Sequence, residues 1–295
     1  MLNDKYYALK IIPKYKLDTK GRLNSNINEP KILMRLKNSS NFVPEIVSAF
    51  QDYENIYLVY SIFDGPTLYE FRNENLTEEQ IIFILACIIE SLKDIRQAQI
   101  IHRDLKLQNV VMDKDNYFNL IDFSFSVLYS NRNSKLLKCN LDKLNNAPEI
   151  LSDSEYDYNS DYFRLGYLLF FFIFKKNPWQ VKQGKNLTEL IEMYSLKGKY
   201  SLNLFDFLNG LMETNFKKRL GYKNIDQLMN HPLFNGLDWK KFEKKQITSP
   251  FYYNKTKVKR PICKRFIKTK DMIQRYEKFI QNEYYIKSIK KFEFA

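Results

Sequence analysis

At 295 residues, with 44% hydrophobic and 16% aromatic side chains, the chain can bury one large core or two modest ones and is not a disordered polypeptide. Lys and Arg outnumber Asp and Glu by 47 to 34, a formal net charge of +13, yet the basic residues are spread along the chain and no nucleic-acid-binding module is recognisable, so compositional bias explains the charge better than specific nucleic-acid binding. Three scattered cysteines (Cys87, Cys139, Cys263) offer neither a disulfide framework nor metal-ligand spacing.

In chain order, the first residues lack the apolar core of a signal peptide. Tyr6 to Ile12 then reads as a strand ended by Pro13. Ile32, Leu33 and Leu36 fall at helical spacing. Proline is tolerated only in a first helical turn, so Pro30 predicts a helix starting near Asn28, with Asn28 as cap and Glu29 at a frayed end. Asn55 to Phe63 is a second strand, closed by Asp64-Gly65-Pro66. Thr77 is the N-cap of a long helix with Glu78 and Glu79 in its first turn and apolar positions from Ile81 through Ile95. Val110 to Met112 and Phe118 to Ile121 are short strands about a turn at Asp113 to Asn116, and helical patterns dominate from Ser160. The most apolar run, Leu165 to Phe174, is ten residues, too short to span a bilayer, and reads as a buried helix. From Lys240 the chain turns basic and aromatic, like a tail laid over a folded body. The expected organisation is a strand-rich part over 1–63, a helical part over 64–237 and a tail over 238–295. The expected setting is intracellular and soluble, cytoplasmic or nuclear, with no transmembrane segment.

The chemistry concentrates at Ile101-His102-Arg103-Asp104-Leu105-Lys106-Leu107-Gln108-Asn109, which fits the pattern H-R-D-L-x-x-x-N at every fixed position. Asp122-Phe123 and Ala147-Pro148-Glu149 follow it; Lys10 on a strand and Glu29 on a helix precede it. Phosphoryl transfer needs such groups for positioning and charge neutralisation more than for covalent chemistry. Asp104 suits the base that accepts a hydroxyl proton. Asn109 and Asp122 supply oxygens for Mg²⁺, and Lys10, fixed by Glu29, can hold the α- and β-phosphates. Lys106 is placed to reach the transferring phosphate. Singly, Asp122 would be a turn residue, Lys10 and Glu29 a solvated pair and His102 a packed core side chain; it is the ordered set that carries the reading.

On these residues the chain resembles eukaryotic protein kinases of the AGC class, and within it the cyclic-nucleotide-dependent kinases, from residue 5 to about 255. The likeness extends to Asp122-Phe123-Ser124-Phe125-Ser126, to Arg219-Leu220-Gly221 with His231-Pro232-Leu233-Phe234, and to a tail beginning at Asp238-Trp239 and Ser249-Pro250-Phe251. The final Lys291-Phe292-Glu293-Phe294-Ala295 is faintly similar to the class's terminal hydrophobic motif. The resemblance implies an α+β, bilobal fold with a truncated, small β-rich N-lobe, a large helical C-lobe and a C-terminal tail. It implies ATP and Mg²⁺ as cofactors, protein Ser/Thr hydroxyls as acceptors, and Ala8 and Val111 beside the nucleotide. It further implies that Asp161 braces the catalytic loop and that Glu149 and Arg219 form a buried ion pair.

Several positions depart from the pattern. The glycine-rich hairpin that should precede Lys10 is absent, which implies either an N-terminally incomplete sequence or impaired nucleotide binding. Ser124 stands where the class has the glycine of D-F-G and is expected to cost about 1 kcal/mol if that site needs a left-handed backbone. Residues 128–146 contain no threonine; Lys138 falls near the usual phosphothreonine, so pairing of a phosphate there with Arg103 is not expected, and Asp142 stands in place of the tethering threonine with a carboxylate that could still pair with Lys106. Thr67, Gln108 and Phe171 occupy positions where arginine-directed members carry acids, so substrates are expected not to be strongly arginine-directed. No regulatory subunit can be named. A serine/threonine kinase is the leading expectation, and a catalytically impaired pseudokinase, acting as scaffold or allosteric partner, is the alternative.

Overall fold

The computed structural model describes residues 7–13, 23–37, 39–53, 55–129, 146–151, 157–181 and 187–252. Three antiparallel strands come first: β1 (Tyr7–Pro13), β2 (Ile46–Gln51) and β3 (Asn55–Ser61), in the order β1-β3-β2. The central strand β3 buries Ile56, Leu58, Val59 and Tyr60, which is why it reads as a nearly continuous apolar run. Its register sets Ala8 opposite Tyr60 and Lys10 opposite Leu58.

Helix α1 runs from Leu23 to Leu36 and packs Ile32, Leu33 and Leu36 into the core. The expectation that it begins at Asn28 is corrected here: Pro30 lies inside the helix, and Glu29 is in the helix body, only 1% exposed. An interior proline forfeits one backbone hydrogen bond and costs about 3 kcal/mol in isolation. Burial of the three apolar side chains beyond it, and the ion pair of Glu29 described below, offset that cost.

The larger part is organised on two buried helices. In α2 (Glu78–Gln97) the Thr77 hydroxyl accepts the Gln80 N–H at 3.2 Å while the Gln80 side chain accepts the Thr77 N–H at 3.0 Å, a reciprocal cap that fixes the helix start. Thirteen of its residues are buried, so it is apolar on nearly every side and runs through the core. After it come β4 (Ile100–Ile101), β5 (Val110–Met112), β6 (Phe118–Leu120) and β7 (Val127–Leu128), paired as β4 with β7 and β5 with β6. The β5–β6 turn is set by Asp113, whose Oδ1 accepts the N–H groups of Asp115 and Tyr117 at 2.9 and 3.0 Å.

Short α3 (Pro148–Leu151) precedes α4 (Asn159–Phe174), whose apolar run is the buried helix expected of it. Among the described residues α5 (Pro178–Val181), α6 (Leu187–Met193), α7 (Leu202–Leu211) and α8 (Asp226–Met229) follow. Among the described residues no helix is long and apolar enough to cross a membrane. The architecture is the α+β, two-lobed one implied by the resemblance.

The tail's opening residues bind the body. Asp238 caps α9 (Trp239–Glu243) by accepting the Lys241 N–H at 3.1 Å, and Phe242 stacks on Phe42 with centroids 6.0 Å apart. Lys245 bonds Asp113 and Asn119 at 2.5 and 3.0 Å, so the tail is pinned to the β5–β6 turn. The terminal Phe292 and Phe294 lie outside the described residues.

Candidate active site

Helix α4 supports the loop that follows β4. Asp161 accepts the main-chain N–H of His102 at 2.8 Å and of Arg103 at 2.9 Å, the bracing role expected of it. Those bonds hold Arg103 at φ 67°, a left-handed conformation that costs about 1–2 kcal/mol in a non-glycine residue. His102 is fully buried edge-on to Phe123, with ring centroids 4.9 Å apart, and burial lowers its pKa, so it is a neutral packing residue and not a base. Arg103 donates through Nε to the Phe125 carbonyl at 2.6 Å.

With the backbone so held, Asp104 projects into a network. Its Oδ2 accepts from Lys106 Nζ at 2.7 Å and from Asn109 Nδ2 at 2.8 Å, and Asn109 Nδ2 also donates to the Asp104 carbonyl at 2.9 Å. The Ile121 N–H donates to the Asn109 carbonyl at 2.8 Å, which brings Asp122, the next residue, beside Asn109.

Lys10 reaches this cluster from β1. Its ammonium lies 3.0 and 2.9 Å from the two Glu29 oxygens and 2.8 Å from Asp122 Oδ1. Burial alone would lower the Lys10 pKa; the charges of Glu29 and Asp122 outweigh it and hold the ammonium above its ordinary value. For Asp122 burial again works towards a higher value, but the charge and hydrogen bond of Lys10, with the Ser124 hydroxyl, bring it down to about 2. Burial pushes the Glu29 carboxyl up, against the opposing pull of Lys10, which is shared with Asp122. Glu29, expected at a frayed helix end, is thus held in a close ion pair with Lys10.

Ser124 also differs from expectation. It is not among the residues with positive φ; the left-handed residue of this turn is Asp122, at φ 65°. The serine instead donates its hydroxyl to Asp122 Oδ1 at 2.7 Å, so the side chain that replaces glycine orients the carboxylate it follows.

Lys10, Glu29, Asn109 and Asp122 line a cavity of about 330 Å³ whose walls also include Ala8, Leu33, Tyr60, Phe63 and Val111; Asp104 and Lys106 join it through Asn109. Ala8 and Lys10 share a face of β1 because strand side chains alternate, and both open on the cavity. Val111 is brought there by the bridge between Thr67 and Val111, with Gly65 donating to the Met112 carbonyl at 2.9 Å. Gly65 is required by that approach, since a Cβ would sit 2.4 Å from the Met112 oxygen. All eight residues singled out in the sequence (Ala8, Lys10, Glu29, Asp104, Lys106, Asn109, Val111, Asp122) therefore fall in one region.

Sequence reasoning missed Tyr60. Its hydroxyl donates to Glu29 Oε1 at 3.1 Å at the back of the cavity, where burial raises its pKa. Only strand register, which sets it opposite Ala8, identifies it.

Beneath the site, Arg219 donates to the two Glu149 oxygens at 2.5 and 2.8 Å and to the Asn159 carbonyl at 2.8 Å, forming the expected buried pair. Lys138, Asp142 and the Asn140–Leu144 stretch lie outside the described residues.

Residues 1–234 match the family model described as the protein kinase domain. Among curated proteins, human rhodopsin kinase GRK1 is 31% identical over 261 residues, covering 84% of this chain and 46% of that protein. A probable serine/threonine-protein kinase of Dictyostelium discoideum is 30% identical over 253 residues (84% and 55%), and human RAC-beta serine/threonine-protein kinase is 26% identical over 255 residues (84% and 52%). The chain spans about half the length of these relatives.

Proposed function

The chain belongs to the protein kinase family, and from that premise we propose that it transfers the γ-phosphoryl group of ATP to Ser and Thr hydroxyls of proteins. One observation carries the reading. A single ammonium, Lys10 Nζ, joins Glu29 of α1 to Asp122 beside the catalytic loop, so both lobes contribute to one charged cluster on one cavity wall.

The donor set fits Mg²⁺. The Lys10 ammonium, the Ser124 hydroxyl and the Ser124 main-chain N–H all fall on Asp122 Oδ1, and Asn109 uses its Nδ2 on Asp104; Asp122 Oδ2 and Asn109 Oδ1 take no hydrogen bond among the described residues. Two hard oxygens on adjacent segments suit a small divalent cation, which when bound would neutralise charge developing on the phosphates.

The chain's own residues do the rest. Lys10 holds the α- and β-phosphates, with Glu29 and Tyr60 fixing its position. Asp104 orients the acceptor hydroxyl and receives its proton. Lys106, paired with Asp104, offers its ammonium to the transferring group. Ala8 and Val111 provide apolar contact for the base of the nucleotide. Substrates not strongly arginine-directed are part of the proposal, supported by Thr67, Gln108 and Phe171 at the positions where acids would attract arginine. A phosphorylation profile dominated by upstream arginine would contradict that part.

The test is a melting-temperature shift with Mg-ATP on the chain and on Asp122→Asn. A rise in the melting temperature of the wild type that is lost in the folded variant is expected; no rise in a folded wild type would sink the proposal.

A further inference from the structure

Arg164 is a charged side chain in the floor of the site with no part in the roles assigned above. It lies three residues after Asp161 on α4, so the two share a helix face beneath the catalytic loop. Asp161 grips the backbone of His102 and Arg103. Arg164 reaches one residue further along the same loop, with Nη1 4.0 Å from Asp104 Oδ1. Its other terminal nitrogen, Nη2, donates to the Asn146 side-chain carbonyl.

Burial makes this arrangement informative. The Arg164 side chain is 2% exposed, and a guanidinium stays charged at any accessible pH. A buried cation needs counter-charge, and Asp104 is a carboxylate that it faces. The two edges of that carboxylate are divided: Lys106 and Asn109 hold Oδ2, and Arg164 faces Oδ1. Asn146 is itself 3% exposed and lies three residues before Glu149, which Arg219 clamps. The far end of the segment that runs from Asp122 to Glu149 is therefore tied, through one guanidinium, to the catalytic carboxylate.

We propose that Arg164 is a positioning residue for phosphoryl transfer: held by Asn146, its guanidinium sets the orientation of the Asp104 carboxylate and couples it to the anchored end of the 122–149 segment. The inference rests on Asp104 acting as the base. It predicts an effect on turnover and not on nucleotide binding, because Lys10, Glu29, Ala8 and Val111 lie on other elements.

The experiment is steady-state kinetics on wild type, Arg164→Met, Arg164→Lys and Asn146→Ala, with melting curves for folding and calorimetry for Mg-ATP affinity. Arg164→Met is expected to lower kcat roughly 10- to 100-fold, since misplacing a catalytic group by about 1 Å can cost that much, while KM for ATP and Mg-ATP affinity stay within about two-fold. Arg164→Lys should recover part of the loss by restoring charge without the fork, and Asn146→Ala should show the same kcat-only pattern in smaller measure. A folded Arg164→Met with wild-type kcat overturns the inference. So does a loss of kcat matched by an equal loss of Mg-ATP affinity and not relieved by lysine, which marks a purely structural residue. If Arg164→Met does not fold, Asn146→Ala decides, and an unchanged kcat there refutes the coupling. A wild type that binds Mg-ATP yet phosphorylates nothing refutes the kinase reading itself, and this inference with it.

Discussion

Replacing Lys10 with methionine keeps the apolar stem and removes the ammonium that separates Glu29 from Asp122. Glu29, with a side chain 2% exposed, would then face Asp122 without its cation. Breaking a fully buried ion pair costs about 3–5 kcal/mol; Lys10 and Asp122 are 32% and 35% exposed, so solvent screening reduces the expected loss to about 2–3 kcal/mol at pH 7. The pH dependence follows from the sign of the Asp122 shift. Its folded value, about 2, lies below the ordinary 3.8, so the stability it contributes is present above about pH 4 and is lost as pH falls towards 2. The variant lacks that contribution, and its two carboxyls become neutral more readily in acid. The gap between wild type and Lys10→Met should therefore be smaller at about pH 3 than at pH 7. Lys10→Met combined with Glu29→Gln should regain about 1–2 kcal/mol by removing the stranded charge. Urea denaturation at the two pH values measures all three. A variant as stable as wild type at pH 7, or a gap that does not change with pH, would refute this account of the cluster.

Other perturbations bear on the framework. Glu149→Ala leaves a fully buried Arg219 without its carboxylate, facing two main-chain carbonyls and the Phe163 ring, and denaturation should show a loss of about 3–5 kcal/mol. Gly65→Ala places a Cβ 2.4 Å from the Met112 carbonyl oxygen; backbone must move at the cavity rim, and melting should report a loss of about 1–3 kcal/mol. Glu90 and Asp94 lie on α2 beside Lys93 and the tail residue Glu243, and burial pushes their carboxyls up to about 7 and about 6. Raised carboxyls stabilise the protonated form, so stability should decline as pH rises through 6 to 7. Glu90→Gln should flatten that decline by roughly 2–3 kcal/mol between pH 5 and 8 in denaturation curves.

Local signals made much of this legible in the sequence. The catalytic loop is contiguous, and the Thr77–Gln80 cap and the Asp113 turn each depend on neighbours within four residues. Long-range choices were read less well. Pro30 argued for a late helix start because propensity is a local rule; the burial of Ile32, Leu33 and Leu36 together with the Lys10–Glu29 pair overrides it. The condition under which Ser124 would be strained, a left-handed backbone, is not met; the left-handed residue is Asp122 and the serine hydroxyl supports it. Tyr60 and Arg164 gave no motif, because the contacts that define them come from strand register and from a helix passing beneath a loop.

The central claim is that Asp104, Asn109, Asp122 and Lys10 together perform phosphoryl transfer, and its most direct measurement is phosphate transfer from labelled Mg-ATP to a degenerate Ser/Thr peptide library. Wild type is compared with Asp104→Asn, and the labelled amino acids are identified. The account predicts phosphoserine and phosphothreonine from the wild type, with a rate roughly 10²- to 10⁴-fold lower in the variant. A folded wild type that binds Mg-ATP without transferring phosphate, or an Asp104→Asn chain that turns over as fast as wild type, would contradict it.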